Sequence, residues 1–204
     1  MASSSAPAPP PPPPPPYTPD YPLRTERLYL RPLALDDFAA VHAYRCRPEV
    51  SRYLYSGPFD EAASRDFVAS RSTRTTLRES GDGLQLAVVV RDSGTLIGDV
   101  TFLWKSSRQG RIGYVFHPGH AGHGYATEAS RALLKLGFEE LRLHRIQAEL
   151  DGRNTASARL LERLGMRREG RLRENSLLDG EWSDEVIYAM PAREWRAQQE
   201  ERAR

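Results

Sequence analysis

Three histidines, four glycines and a helix start share one stretch, Gly113-Tyr-Val-Phe-His-Pro-Gly-His-Ala-Gly-His-Gly-Tyr-Ala-Thr-Glu-Ala129. A strand ends, glycines follow, and a helix begins. Glycine lets a ligand approach the backbone closely, and the first N–H groups of a helix have no internal partner. With the helix dipole added, such a corner binds an anion without Lys or Arg, so a phosphate-bearing ligand is the first expectation. The spacing narrows which one. A nucleotide P-loop would need Lys immediately after Gly124, and Tyr125 stands there. A dinucleotide fingerprint starting at Gly122 fails at Thr127, where a third glycine or alanine belongs. His117, His120 and His123 recur every three residues, which invites a metal reading. A flexible loop does not preset ligand directions, and no Cys or carboxylate closes the set, so no metal is expected. His123, between two glycines, reads better as a loop residue whose backbone faces the phosphate.

The surrounding elements follow from periodicity and punctuation. Arg27 to Leu33 alternates as a strand, and Asp36 or Asp37 caps a helix reaching about Tyr44. Asp60 caps a helix expected over 60–79, with Phe67 as its apolar anchor. Leu84–Val90, Thr95–Trp104 and Gly110–His117 read as three strands separated by turn residues, including Asp92-Ser-Gly94. Tyr125–Leu141 is an amphipathic helix with Ala129, Leu133, Leu136 and Gly137 inward. Arg145–Asp151 is a strand. Asn154 caps a short helix that ends at Gly165. Met166–Glu174 and Trp182–Met190 close the chain as strands joined through an Asp179-Gly180 turn. Three consecutive strands imply an antiparallel meander, and the later strand–helix–strand unit implies a parallel pair. The expected class is α/β (α+β), a mixed sheet with helices on both faces.

At this point the motifs resemble a known family. Gly122-His-Gly124-Tyr-Ala126-Thr-Glu-Ala129 is similar to the acyl-CoA pyrophosphate loop of the GNAT acetyltransferase superfamily. Asn154-Thr-Ala-Ser157-Ala-Arg-Leu-Leu-Glu-Arg-Leu-Gly165-Met166 is similar to its second cofactor motif. Thr25-Glu-Arg-Leu-Tyr-Leu-Arg-Pro32 and Asp184-Glu-Val-Ile-Tyr188 resemble the ribosomal-protein (Rim-type) N-terminal acetyltransferase branch. The resemblance covers residues 23–190 in order. It implies the GNAT fold, with a mostly antiparallel sheet of six to seven strands and a splayed acyl-CoA gap. It implies acetyl-CoA as co-substrate, with no metal, and direct transfer of acetyl to an amine. The cofactor contacts it implies are Val115, Phe116, His117, Gly122, His123, Gly124, Tyr125, Ala126, Thr127, Asn154 and Ser157. A backbone N–H near Val115 or Phe116 would hold the developing oxyanion.

Three positions depart from the family's pattern. Ala121 replaces the Arg or Gln that often opens the loop, which removes a side-chain phosphate contact and leaves the backbone ones. Leu161 stands where many members carry the Tyr that protonates the leaving thiolate; the Rim-like branch has Ser at Ser157 instead, one turn from Asn154. Arg111 stands where an acid often precedes the strand's Ile-Gly-Tyr. Amine attack needs a neutral nitrogen, which costs about 4 kcal/mol at pH 7 for an alkyl amine and under about 2 kcal/mol for an α-amine. A carboxylate acting through water then suffices as base, and Glu149 and Glu174 are the candidates. The branch implies a protein or peptide N-terminus as acceptor. A small-molecule amine and a non-catalytic acyl-CoA-binding module stand as alternatives, and the chain is expected to be a monomer or homodimer.

Composition bounds the rest. Of 204 residues, the first nineteen hold ten of the sixteen prolines and no charge. Residues 1–19 are expected to form a disordered, polyproline-rich tail, 20–192 the acetyltransferase domain and 193–204 a charged end. All 29 basic and 27 acidic residues lie in the remainder, a balance of +2 that argues against a dedicated nucleic-acid binder. No apolar run is long enough for a transmembrane helix. Lone Cys46 excludes an internal disulfide, and without a secretory signal the cytoplasm is the expected location.

Overall fold

The computed structural model describes residues 16–106, 108–178 and 180–203. The proline run up to Pro15 and Asp179 of the closing turn lie outside the described residues. The elements in chain order are β1 (Leu23–Arg24), β2 (Leu28–Pro32), α1 (Phe38–Arg45), α2 (Pro48–Ser51), α3 (Glu61–Ser72), β3 (Gly83–Val90), β4 (Leu96–Ser106) and β5 (Gln109–Phe116). They continue with α4 (Tyr125–Lys135), β6 (Arg145–Asp151), α5 (Thr155–Leu164), β7 (Arg167–Leu178), β8 (Glu181–Pro191) and α6 (Ala192–Arg202).

Local chemistry accounts for most boundaries. Asp60 accepts the Ala63 N–H at 2.7 Å and starts α3. That helix stops at Ser72, short of the expected 79, because Thr75 and Thr76 favour extended backbone and Leu77 is drawn into the core. Tyr17, inside the proline-rich segment, exchanges two backbone hydrogen bonds with Leu77, each 2.8 Å. The Tyr125–Leu141 helix divides: α4 is regular to Lys135, then Leu136–Glu140 widens into a π turn. A side chain at Gly137 would collide with Ile146, so the widened turn lies directly against the sheet.

The sheet has eight strands in the order β1-β2-β3-β4-β5-β6-β8-β7. The extra strand relative to the six to seven expected is β1, two residues paired to β2, which is too short to carry a periodic signal. All neighbours are antiparallel except β5 and β6, which are parallel. Those two pair only through Gln109↔Arg145, Gly110↔Ile146 and Arg111↔Gln147. Past that point β5 stays with β4 as far as Phe116↔Gly98, while β6 stays with β8 as far as Asp151↔Glu185. The two central strands therefore diverge and leave an open gap in the middle of the sheet.

The alternation of each strand sorts the core onto two faces. Leu84, Leu86, Val100, Phe102, Ile112, Ile146 and Tyr188 face α4 and α5, against Leu133, Leu134, Leu160 and Leu164. Trp195 of α6 joins this cluster, stacked on Phe138 at 5.7 Å. Ala87 and Val89 face the other way, against Val41 and Tyr44 of α1 and Val68 of α3.

One polar network is buried on the α1–α3 face. Asp99, 1% exposed, accepts from Arg45 Nη2 at 2.7 Å, from the Tyr44 hydroxyl at 2.5 Å and from Gln85 Nε2 at 2.6 Å. The Arg45 guanidinium also lies 4.0 Å from the Phe67 ring centre. Removing one partner strands the other charge in the interior. Asp99→Asn is therefore expected to cost about 3–5 kcal/mol in urea unfolding, and a loss below about 1 kcal/mol would show that the pair is not coupled to folding.

Candidate active site

The gap between β5 and β6 forms the floor of a cavity of about 240 Å³, lined by Tyr114, Val115, Glu149, Asn154, Ser157 and Leu161 among others. His117 donates its N–H to Ile97 C=O on the β4 side at 2.8 Å. Strand alternation then turns the Val115 N–H toward β4 and the Tyr114 and Phe116 N–H groups toward the gap. Of the two residues expected to supply an oxyanion contact, Phe116 has its amide on the open side.

The glycine corner lies at the mouth of the gap. Gly122 and Gly124 have φ of 81° and 78°, a left-handed backbone that glycine adopts without strain. Gly124 is the N-cap of α4, and the helix's first i→i−4 bond runs from Glu128 N–H to Gly124 C=O at 3.0 Å. The N–H groups of Gly122 to Thr127 find no protein acceptor among the described residues. Unpaired amides and a helix N-terminus together make a corner that can hold an anion.

The histidines shape this corner. His117 Nδ1 accepts the Gly119 N–H at 2.9 Å, and burial, then the charges of Arg47 and His120, push its imidazole below the usual range. His123 Nδ1 donates to Ala121 C=O at 2.9 Å, and its ring stacks on Tyr125 at 5.6 Å. Among the described residues no group of three or more His, Cys, Asp or Glu converges on a metal-sized site.

The loop is braced from far along the chain. Glu128, in the first turn of α4, accepts from the Thr25 hydroxyl at 2.6 Å, from the Arg27 N–H at 2.8 Å and from Arg27 Nε at 2.7 Å. Arg27 Nη1 also reaches His123 C=O at 3.0 Å, and its guanidinium covers the Tyr125 ring at 4.7 Å. The Thr25-Glu-Arg27 motif and the glycine motif are thus two halves of one support. Burial would raise the Glu128 carboxyl, but Thr25 and Arg27 outweigh it and hold it below the usual range.

Asn154 Oδ1 accepts the Ser157 N–H at 3.0 Å and starts α5, which ends at Gly165 with φ of 84°. This cap fixes Ser157 at the edge of the gap. Its hydroxyl lies 2.6 Å from the Tyr114 hydroxyl. Burial pushes the Tyr114 phenol up to about 12, against a smaller opposing effect of the Ser157 hydrogen bond. Leu161, in the place of the family's Tyr, is buried in the core at 1% exposure. Tyr114 is a site residue that the sequence does not single out. Its period-two position showed only that it faces α5, and no local pattern pairs it with Ser157.

The two candidate carboxylates separate. Glu149 lines the gap, half-buried, ion-paired to Arg111 and accepting from Gln147 Nε2 at 2.6 Å. Glu174 belongs to a bulged part of β7, with φ of 48° and its N–H donated to Asp184 at 2.8 Å. It lines a separate hollow with Arg171 and Arg173 and does not join the gap.

Similarity to known proteins agrees with this geometry. The acetyltransferase (GNAT) domain family matches residues 27–167. An uncharacterized N-acetyltransferase, YnaD, of Bacillus subtilis is 35% identical over 175 residues, which is 85% of this chain and 98% of that one. A GNAT-family acetyltransferase structure from Bacillus anthracis superposes with a TM-score of 0.76 at 35% identity, covering 84% of this chain and 98% of the other. The ribosomal protein uS5-alanine N-acetyltransferase of Escherichia coli is 33% identical over a shorter segment of 84 residues, 41% of this chain and 43% of that enzyme. A sheet split between parallel strands, a glycine-capped helix at its mouth and a match over most of the body give one answer: the chain belongs to the GNAT acetyltransferase family.

Proposed function

We propose that this N-acetyltransferase moves an acetyl group from acetyl-CoA directly to the α-amine of a peptide or protein N-terminus. The observation that carries the choice of acceptor is the charge on the acceptor side of the gap. The cavity of about 380 Å³ there is lined by Arg45, Arg71, Arg74 and Arg111 against one carboxylate, Glu149. A polyamine or aminoglycoside brings several positive charges and needs several carboxylates to meet them. A single α-amine brings one charge and sheds it easily. The name of the ribosomal-protein enzyme from Escherichia coli supports the same class.

Each residue then has a task. The amides from Gly122 to Thr127, with the α4 N-terminus behind them, hold the pyrophosphate. The gap-facing edge of β5 receives the pantetheine, and the Phe116 N–H stabilises the oxyanion as the amine attacks. Glu149 takes the ammonium proton through water, fixed in place by Arg111 and Gln147. Ser157 returns a proton to the departing thiolate, with the Tyr114 hydroxyl behind it.

The test is thiol release from acetyl-CoA with free-N-terminal peptides, the same peptides N-terminally blocked, and spermidine. Release is expected only with the free peptides. Release with spermidine alone contradicts the acceptor assignment, and thiol release in none supports the non-catalytic alternative.

A further inference from the structure

The acceptor cavity holds more positive charge than the fold neutralises. It adjoins the gap, sharing Tyr55, Thr101, Ile112, Gly113 and Glu149 with it. Two of its four guanidiniums are matched. Arg45 is held by Asp99 at 2.7 Å, and Arg111 by Glu149. Among the described residues, Arg71 and Arg74 have no carboxylate within ion-pair distance. Arg71 is half-buried, and its Nε is buried with no hydrogen-bond partner. Burial, then the nearby charges of Arg74 and Arg45, push the Arg71 guanidinium below its ordinary range. Two unmatched cations kept together beside a reaction site, one with an unmet donor, are arranged to receive an anion.

We infer that the acceptor carries an anionic group, a carboxylate or a phosphate close to its reactive amine, and that Arg71 and Arg74 receive it. This rests on the gap being the site of transfer to an α-amine. The guanidinium fork suits both oxyanions. The same charges repel an acceptor with a basic residue near its N-terminus, so the cavity selects by attraction and by repulsion.

The experiment compares kcat/KM for four short peptide amides that share a first residue and differ at the second: glutamate, phosphoserine, glutamine and lysine. At low salt, the intact enzyme is expected to favour the glutamate or phosphoserine peptide over the glutamine peptide by about tenfold or more, the worth of one charge-assisted contact. The lysine peptide is expected to be the poorest. The preference should shrink as ionic strength rises, and Arg71→Gln combined with Arg74→Gln should bring the acid-to-neutral ratio toward one. Whichever of glutamate and phosphoserine is better identifies the anion. Equal rates for the glutamate, phosphoserine and glutamine peptides would overturn the inference while leaving N-terminal transfer intact. Transfer to no peptide would overturn both.

Discussion

Gly124→Glu is expected to abolish acetyl-CoA binding while the protein stays folded. Gly124 caps α4 at φ of 78°, at the centre of the run of unpaired amides. A carboxylate there carries the same sign as the pyrophosphate and is drawn to the same helix N-terminus. It would occupy the cradle itself. Losing two charge-assisted contacts costs about 3 kcal/mol or more, on the order of a hundredfold or more in affinity. The helix would persist, because Ala129, Ser130, Leu133 and Leu134 remain buried on its other face. Gly124→Ala separates charge from strain: it suffers only the left-handed backbone, about 1–2 kcal/mol, and keeps measurable binding. Calorimetric titration with CoA checks both. Unchanged affinity in Gly124→Glu would place the phosphates elsewhere.

Ser157→Ala is expected to lower kcat by on the order of a hundredfold, with little change in KM for acetyl-CoA. The Asn154 cap holds the Ser157 backbone N–H, the Tyr114 hydroxyl lies 2.6 Å from the Ser157 hydroxyl, and buried Leu161 stands in the place of the family's Tyr. Tyr114→Phe should lower kcat as well. The double variant should be little worse than Ser157→Ala alone, because the two hydroxyls act as one unit. With its pKa raised to about 12 by burial, Tyr114 stays protonated across the working pH range and keeps its role as donor. A kcat within about twofold of the parent in Ser157→Ala would remove Ser157 from the proton path, since a positioned acid contributes far more than that.

What the sequence made legible was local. The Asn154 cap, the Gly165 stop, the glycine corner and the strand alternation of Arg145–Asp151 each depend on a few neighbouring residues, and all stand where the pattern placed them. What it hid was pairing over distance. Thr25 and Arg27 meet Glu128 across a hundred residues, and Tyr114 meets Ser157 across forty-three. A single chain marks both members of such a pair and does not say that they touch. The same limit separates Glu149 from Glu174, which have one chemistry and two locations. The widened turn at Leu136–Glu140 was hidden for another reason: Leu136, Glu139 and Glu140 are good helix formers, and packing of Gly137 against Ile146 sets the shape.

We propose direct acetyl transfer at this gap to an α-amine. Its most direct measurement is mass spectrometric mapping of the acetyl group on a peptide that offers both a free N-terminus and an internal lysine, after incubation with the enzyme and acetyl-CoA. Acetyl is expected on the α-amine alone, lost in Gly124→Glu. Acetyl on the lysine ε-amine with the N-terminus unmodified would contradict it.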